Sequence, residues 1–565
     1  MPSKGGCAVS RRTGLRSPRD HRSVSTDPSD QTTLARTLVR GVADRLGWCA
    51  LEWGPGEEHV DRPAVGQVLA CVWHLSDLHL CDAESPVRLE YLDRFGDPDS
   101  PYLEQVGHVG TYRPQEILTT QVAASMLAAV NRIDRGPTTG RSVDALLITG
   151  DLVDNAQRNE LGWLMDLLRG GIVKPRSGDA ARSSWVGALN SDAHESWDER
   201  YWHPDGPPRG VSPDLPMRNF GFPKLPGLVD RARADFHAPG VGYPVLAVHG
   251  NHDLLLQGTV TADARLREVA VSGERVTGLA SGLPPLTVLE AVGSVGPARY
   301  VDTPDAPREP VPVDLGRALV QTEDFARALH CDLVPDSFQP GPGNAWSADV
   351  GELRVIALDT VNPHGGWQGS IDEQQATWLV AELERFPHRY TVITTHHPSV
   401  TMLNDFGGVT GQARVLGDAV VTLLLDYPQV IAWLAGHVHH HNALWHGRPT
   451  DEGESADRGF WEITTASLID WPQQARILEF IRADGHIHIV STVVDHEGNH
   501  DGAFESGGSA DRATDQQLAG LSRLLAANDY HNRGDSFRAM VLNSRRELRN
   551  AAWSLRDPFP VQRLT

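Results

Sequence analysis

Five short clusters in this chain are built from aspartate, asparagine and histidine. "SDLH" carries Asp77 and His79, "GDLVD" carries Asp151 and Asp154, and "GNHD" carries Asn251, His252 and Asp253. "THHPS" and "GHVH" add His396, His397, His437 and His439. Carboxylate, carboxamide and imidazole are hard or borderline donors, and no cysteine stands among them, so the set suits Mn, Fe, Zn, Co or Mg. One such pair alone is commonplace in structural turns. Five clusters, each closing an apolar run, point to one shared metal site.

The runs that carry them are "VLACVWHLSDLH", "VDALLITGDLVD", "YPVLAVHGNHD", "RYTVITTHHPS" and "QVIAWLAGHVHHH". Their length and their Val, Ile and Leu content predict strands buried on both faces. Helical patterns lie between them, among them "SIDEQQATWLVAELERF" with Trp378, Leu379 and Leu383 on one face. Strand and helix in alternation predict an α/β sheet covered on both sides, with ligands bound beyond the carboxyl ends of the strands.

Around this rhythm the chain divides into a polar, disordered tail at 1–40, a main domain over 66–500 and a helical extension over 505–565. Insertions at about 168–240 and 256–345 interrupt the domain. The first is rich in Pro, Gly and aromatics, including Trp197, Tyr201, Trp202, Phe220 and Phe222, and is expected to fold as an active-site wall or a structural flap. Arg209 and Arg218 favour a place at the substrate entrance. The extension opens with a capping box, Thr514 and Gln517, and sets Leu518, Leu521 and Leu525 on one face.

With 565 residues the chain can bury a large core. A net charge of -22 disfavours nucleic acid and anionic lipid as partners. Five cysteines without a CxxC pair indicate no disulfide framework, which fits a reducing compartment and a cytoplasmic location. No apolar run of transmembrane length is present. Arg11 and Arg12 leave export by a twin-arginine signal as the alternative, although the residues after them are polar.

The order DxH, GDxxD, GNHD, H, GHxH resembles the calcineurin-like metallophosphoesterases over roughly 68–165, 243–258 and 350–495. That resemblance implies a β-sandwich flanked by helices in four layers (an α/β, or α+β, fold). It also implies two divalent or mixed-valence metal ions with a bridging hydroxide that attacks a small phosphodiester or phosphomonoester. Asp77, His79 and His439 would hold one ion, Asn251, His396 and His437 the other, and Asp151 would bridge. His396 is preferred to His397 because the family's ligand stands two places before the proline, here Pro398. His252 would protonate the leaving oxygen or stabilise the transition state. Asp154, and less directly Asp253, would orient it and favour its cationic form.

Asp154 also occupies the place where purple acid phosphatases carry a ligating tyrosine, so an iron-tyrosinate centre is not expected. "VIALDTVNPHGGWQGSIDEQQATWLVAELE" resembles the class III cyclic nucleotide phosphodiesterases. A nuclease with this metal core is an alternative that the acidity disfavours. A non-catalytic scaffold is another, but scaffolds lose ligands and none is lost here. GNHD recurs at Gly498–Asp501, after every ligand position is filled, and is expected to be a turn of coincidental spelling.

Overall fold

The computed structural model describes residues 31–56, 66–106, 109–189, 197–293, 300–330, 332–450, 453–500, 502, 504, 508–530 and 550–559. A hairpin comes first, β1 (Arg36–Ala43) and β2 (Cys49–Pro55). Then follow β3 (Gln67–Leu75), α1 (Thr119–Arg132), β4 (Ala145–Ile148), α2 (Arg158–Arg169), β5 (Val245–Ala247), β6 (Gln339–Pro340), β7 (Trp346–Val350) and β8 (Leu353–Ala357). The second half comprises α3 (Glu373–Arg385), β9 (Thr391–Thr394), α4 (Gly417–Leu425), β10 (Val430–Ala435), β11 (Asn442–Thr450), β12 (Gly453–Thr464), β13 (Gln474–Ala483), β14 (His486–Asp495), α5 (Asp515–Ala527) and β15 (Ala551–Arg556).

These strands form two mixed sheets. One has six strands in the order β15-β14-β13-β3-β4-β5, the other seven in the order β6-β7-β8-β9-β10-β12-β11. β3, β4 and β5 run parallel, as do β8, β9, β10 and β12. The pleat of β4 shows why its four residues are all apolar. Ala145 and Leu147 face the other sheet, while Leu146 and Ile148 face helices. α1 and α2 cover the six-stranded sheet through Val122, Met126, Leu161 and Leu164. α3 and α4 cover the seven-stranded sheet through Leu379, Leu383, Val420 and Leu424. The fold is therefore a four-layer α/β sandwich, and the single sheet with helices on both faces gives way to two sheets, each with helices on one face.

The outlying segments differ from expectation in two ways. Residues 1–30 lie outside the described residues, but Arg36–Ala43 pairs with Cys49–Pro55, so the polar tail does not extend to residue 40. The extension is helical only over Asp515–Ala527 among the described residues, because Ala551–Arg556 adds to the edge of the six-stranded sheet. Both departures have one cause, since edge pairing depends on a distant partner strand rather than on local pattern.

The first insertion is pinched at its base by Ile172–Val173 pairing with Phe236–His237. Its Trp185, Trp202 and Phe222 pack with Trp48 of the hairpin loop and with Leu518, Leu521 and Leu525 of α5. The second insertion buries Leu266, Val269 and Val276 against Tyr91 and Leu92. No helix among the described residues is long and apolar enough to cross a membrane.

Leu147 is 2% exposed between the sheets, whereas Val42 is 93% exposed. Leu147→Ala is expected to cost about 2–5 kcal/mol in chemical denaturation, through lost burial and a residual cavity. Val42→Ala should stay within about 0.5 kcal/mol. Equal losses would contradict the sandwich packing.

Candidate metal centre

All five clusters reach one rim of the sandwich. β3, β4 and β5 of one sheet deliver Asp77 and His79, Asp151 and Asp154, and Asn251, His252 and Asp253. β9 and β10 of the other deliver His396, His397, His437 and His439. The strand ends touch closely enough to explain the motif glycines. A Cβ on Gly250 would stand 2.2 Å from Asp151 N, and one on Gly436 would stand 1.8 Å from Ser76 Oγ. Asp77, His79, Asp151, His437 and His439 all hold left-handed backbone, with φ of 53°, 47°, 50°, 68° and 56°. Each such residue costs of order 1 kcal/mol or more, and strain of this kind concentrates at functional sites.

The side chains converge with their acceptors facing inward. Asp77, His79, Asp151 and His439 each place a donor atom within 4.8 Å of the others. His79 Nδ1 donates to Asp154 Oδ1 at 3.0 Å and His439 Nδ1 to Asp470 Oδ2 at 2.8 Å. Both Nε2 lone pairs therefore point into the same space, where the two atoms stand 3.2 Å apart. His396 Nδ1 donates to the Thr149 carbonyl at 2.7 Å, which turns its Nε2 lone pair toward Asn251 Oδ1 at 2.9 Å and Asp151 Oδ2 at 3.2 Å. Asn251 is oriented by its amide, which donates to Gln257 O at 2.9 Å, and its oxygen also meets His437 Nδ1 at 3.0 Å. Acceptors so crowded need positive charge between them, and this donor set fits divalent cations.

The field of the site shows the same demand. Burial opposes charge on His79, yet Asp154, Asp77 and Asp151 push the ring up to about 10. His396 is likewise raised to about 9 against its burial, chiefly by Asp151. Burial would lift the Asp77 and Asp154 carboxyls, but His439 holds the first and Arg88 the second well below the usual range.

The neighbouring residues sort by their contacts. His397 meets Thr360 Oγ1 at 2.8 Å and the Trp367 carbonyl at 3.1 Å, and it also groups with His396 and His437 closely enough to share a cation. Asp253 accepts from the amides of Leu152 and Val153 at 2.9 Å and of Gly250 at 2.8 Å. It ties two loops together and does not contact His252 in these bonds, so the orienting carboxylate is Asp154, at 2.8 Å from His252 Nδ1. The expected cationic bias of His252 is reversed. Burial and then His79 lower its pKa, outweighing Asp151 and Asp154.

In the second GNHD, Gly498, Asn499 and His500 are described and Asp501 lies outside the described residues. His500 meets the Leu51 carbonyl of the hairpin, away from the rim.

Several supporting residues escaped the sequence reading. Asp470 backs His439, and Arg113 Nε stands 3.3 Å from its other oxygen. Buried Arg88 bonds both Asp154 and Glu116, and Glu116 accepts from Trp185 Nε1 of the first insertion at 2.9 Å. A polar residue just past the sixth strand end, "EITTASLID", is the one signal that marks Asp470. Nothing local marks Arg88 or Arg113. A cavity of about 1270 Å³ opens between the two insertions, with Arg218 but not Arg209 on its lining and none of the clustered ligands. The first insertion reaches the residues behind the centre through Trp185, which donates to Glu116.

No family model matches the sequence. The chain is 30% identical over 133 residues to a protein of Arcobacter nitrofigilis described as probable glycerophosphodiester phosphodiesterase GpdQ, a match covering 23% of this chain and 43% of that protein. This likeness stands beside the five motifs gathered at one rim. It agrees with the resemblance of those motifs to the calcineurin-like metallophosphoesterases. The match spans less than half of that relative's length and does not single out the class III branch. A dimetal phosphatase from Danio rerio aligns at 12% identity over 76% of this chain and all of its own, with a TM-score of 0.31. The calcineurin-like phosphoesterase YfkN from Bacillus subtilis aligns at 11% over 82% and 99%, with a TM-score of 0.25. At these scores neither bears on the assignment.

Asp470→Ala should weaken divalent metal binding about 10- to 100-fold, because His439 loses the acceptor that fixes its tautomer. Titration of metal-free protein with Mn or Zn measures this. Unchanged affinity would show that Asp470 plays no part in the centre.

Proposed function

We propose that the protein is a metal-dependent hydrolase of a small phosphodiester or phosphomonoester, with two cations held at this rim. The observation that carries this reading is the position of Asp151. Its Oδ2 stands 3.6 Å from His79 Nε2 and 3.2 Å from His396 Nε2, between the two halves of the donor set. Asp77, His79 and His439 would hold one cation and Asn251, His396 and His437 the other, with Asp151 placed where it would serve both. The similarity to the Arcobacter protein described as a probable glycerophosphodiester phosphodiesterase agrees with a small phosphoester.

Two such cations supply a water of lowered pKa and neutralise charge on the phosphoryl group. The chain's own residues do the rest. Asp154 keeps the Nδ1 proton of His252 and so directs Nε2 outward. To protonate a departing alkoxide the ring must first carry protons on both nitrogens; burial disfavours that charged form, so once formed it gives up its Nε2 proton readily while Asp154 keeps the one on Nδ1. Asp253 holds the GNHD loop against the GDLVD loop so that His252 and Asp151 keep their spacing.

Purified protein loaded with Mn, Zn, Fe or Mg is expected to hydrolyse bis-p-nitrophenyl phosphate, p-nitrophenyl phosphate or a glycerophosphodiester. Silence toward all of them would sink the reading. Asp151→Asn should lose activity and much of both metals together, since a carboxamide does not bridge two cations as a carboxylate does. Elemental analysis is the check, and an active mutant with full metal would remove Asp151 from its role.

His252→Ala should cost on the order of 10² to 10⁴ in turnover with an alkoxide leaving group, and far less with nitrophenolate, which departs without a proton. His500→Ala should leave both rates and the metal content near wild type. A His252 variant equally impaired with both leaving groups would favour positioning over proton donation.

A further inference from the structure

Five of the twelve large hydrophobic side chains exposed among the described residues fall in two loops beside the metal centre: Trp367, Val400, Leu403, Phe406 and Val409. The loops are laced into one surface. Asn404 Nδ2 donates to Gly365 O at 2.8 Å and Gln368 O at 3.3 Å, Gly369 N donates to Thr401 O at 3.0 Å, and Asn362 Nδ2 donates to Phe406 O at 2.9 Å. The Phe406 ring meets that of His364 edge-on at 6.1 Å. Trp367 stacks on His437 with centroids 6.0 Å apart and 20° between planes, and its carbonyl accepts from His397. Its indole is nonetheless 45% exposed, and Val409, at a Gly-rich loop tip, is 105% exposed.

Five exposed apolar side chains on two loops tied together by hydrogen bonds offer a place where something apolar can bind. Here it is continuous with the metal centre through one ring, because Trp367 lies on a cation-binding histidine of the proposed reading. Residues 399–411 carry one charged side chain, Asp405, and no lysine or arginine, and the whole chain is at -22. An anionic surface is therefore a poor occupant. A single molecule with its phosphoester at the rim and an alkyl chain running outward satisfies both features.

Resting on the phosphoesterase reading, we infer that the loops at 362–369 and 399–411 bind the apolar chain of an amphiphilic phosphoester substrate, with Trp367 as the first contact beyond the metals. The surface residues Leu403, Phe406 and Val409 are outside the catalytic machinery, so their replacement by serine leaves the chemistry intact.

The test compares methyl and octyl esters of p-nitrophenyl phosphate, below the micelle concentration, on metal-loaded wild type and the L403S/F406S/V409S variant. Both esters release the same nitrophenolate, so only binding of the chain differs. Each methylene leaving water is worth about fourfold. Wild type should show a KM for the octyl ester at least about tenfold lower, and the variant should lose most of that preference while keeping its rate on the methyl ester. Calorimetry with octylphosphonate and methylphosphonate reads the same preference without turnover. If neither ester is hydrolysed, the phosphodiester form of the phosphoesterase reading fails, and tighter octylphosphonate binding that the variant loses still upholds the apolar site. Equal binding of the two phosphonates, or a preference that survives the triple substitution, overturns it.

Discussion

Carboxylate oxygens and imidazole lone pairs meet at one rim of the sandwich, and such a concentration of negative potential persists only beside compensating positive charge. The rest of the centre follows from that constraint. His79, His439 and His396 each give their Nδ1 proton to a fixed acceptor, Asp154, Asp470 or the Thr149 carbonyl, and so each turns Nε2 inward. Without those three acceptors the rings would be free to choose the other tautomer, and the lone pairs would no longer converge. The left-handed backbone at five of the converging residues is tolerated because two sheets hold the strand ends on both sides.

Behind the acceptors lies a second problem, that of buried acids. Asp154 and Asp470 are almost wholly enclosed, and each meets a buried arginine, Arg88 and Arg113. A paired buried charge is roughly neutral for stability, whereas removing one partner strands the other at a cost of about 3–5 kcal/mol. The pairs are therefore retained for orientation and not for strength. Arg88 passes the demand outward to Glu116, and Glu116 accepts from Trp185, whose ring sits in the apolar cluster that joins the first insertion to α5. An insertion remote from the ligands in sequence thereby helps to hold the carboxylate that orients His79 and His252.

The clusters of polar residues and the strands that precede them were legible without coordinates because both are local. Strand Ala145–Ile148 announces itself by an unbroken apolar run, and Asp151 and Asp154 follow within a few residues of its end. The divalent character of the donor set was equally plain from residue types, and position in the motif order separated the two GNHD copies. His396 was likewise separated from His397 by its distance to Pro398. In the structure His397 meets Thr360 and Trp367, whereas His396 faces Asn251 and Asp151.

Contacts between residues far apart in the chain were decided only by the tertiary structure. Asp470, Arg88 and Arg113 have ordinary local surroundings, and their roles exist only where separate strand ends and loops pack together. The same is true of the edge strand Ala551–Arg556, whose partner sets its state, and of Asp253, whose carboxylate found backbone amides in place of the histidine beside it. His252 shows the limit most sharply. Its neighbour Asp154 can be read from spacing, but the burial that disfavours its charge depends on how many layers close over it. Residue types and short spacings determine what chemistry the groups can do, because donor character and strand periodicity are local properties. Burial, tautomer and pairing depend on the partners that folding brings near, so they belong to the tertiary structure.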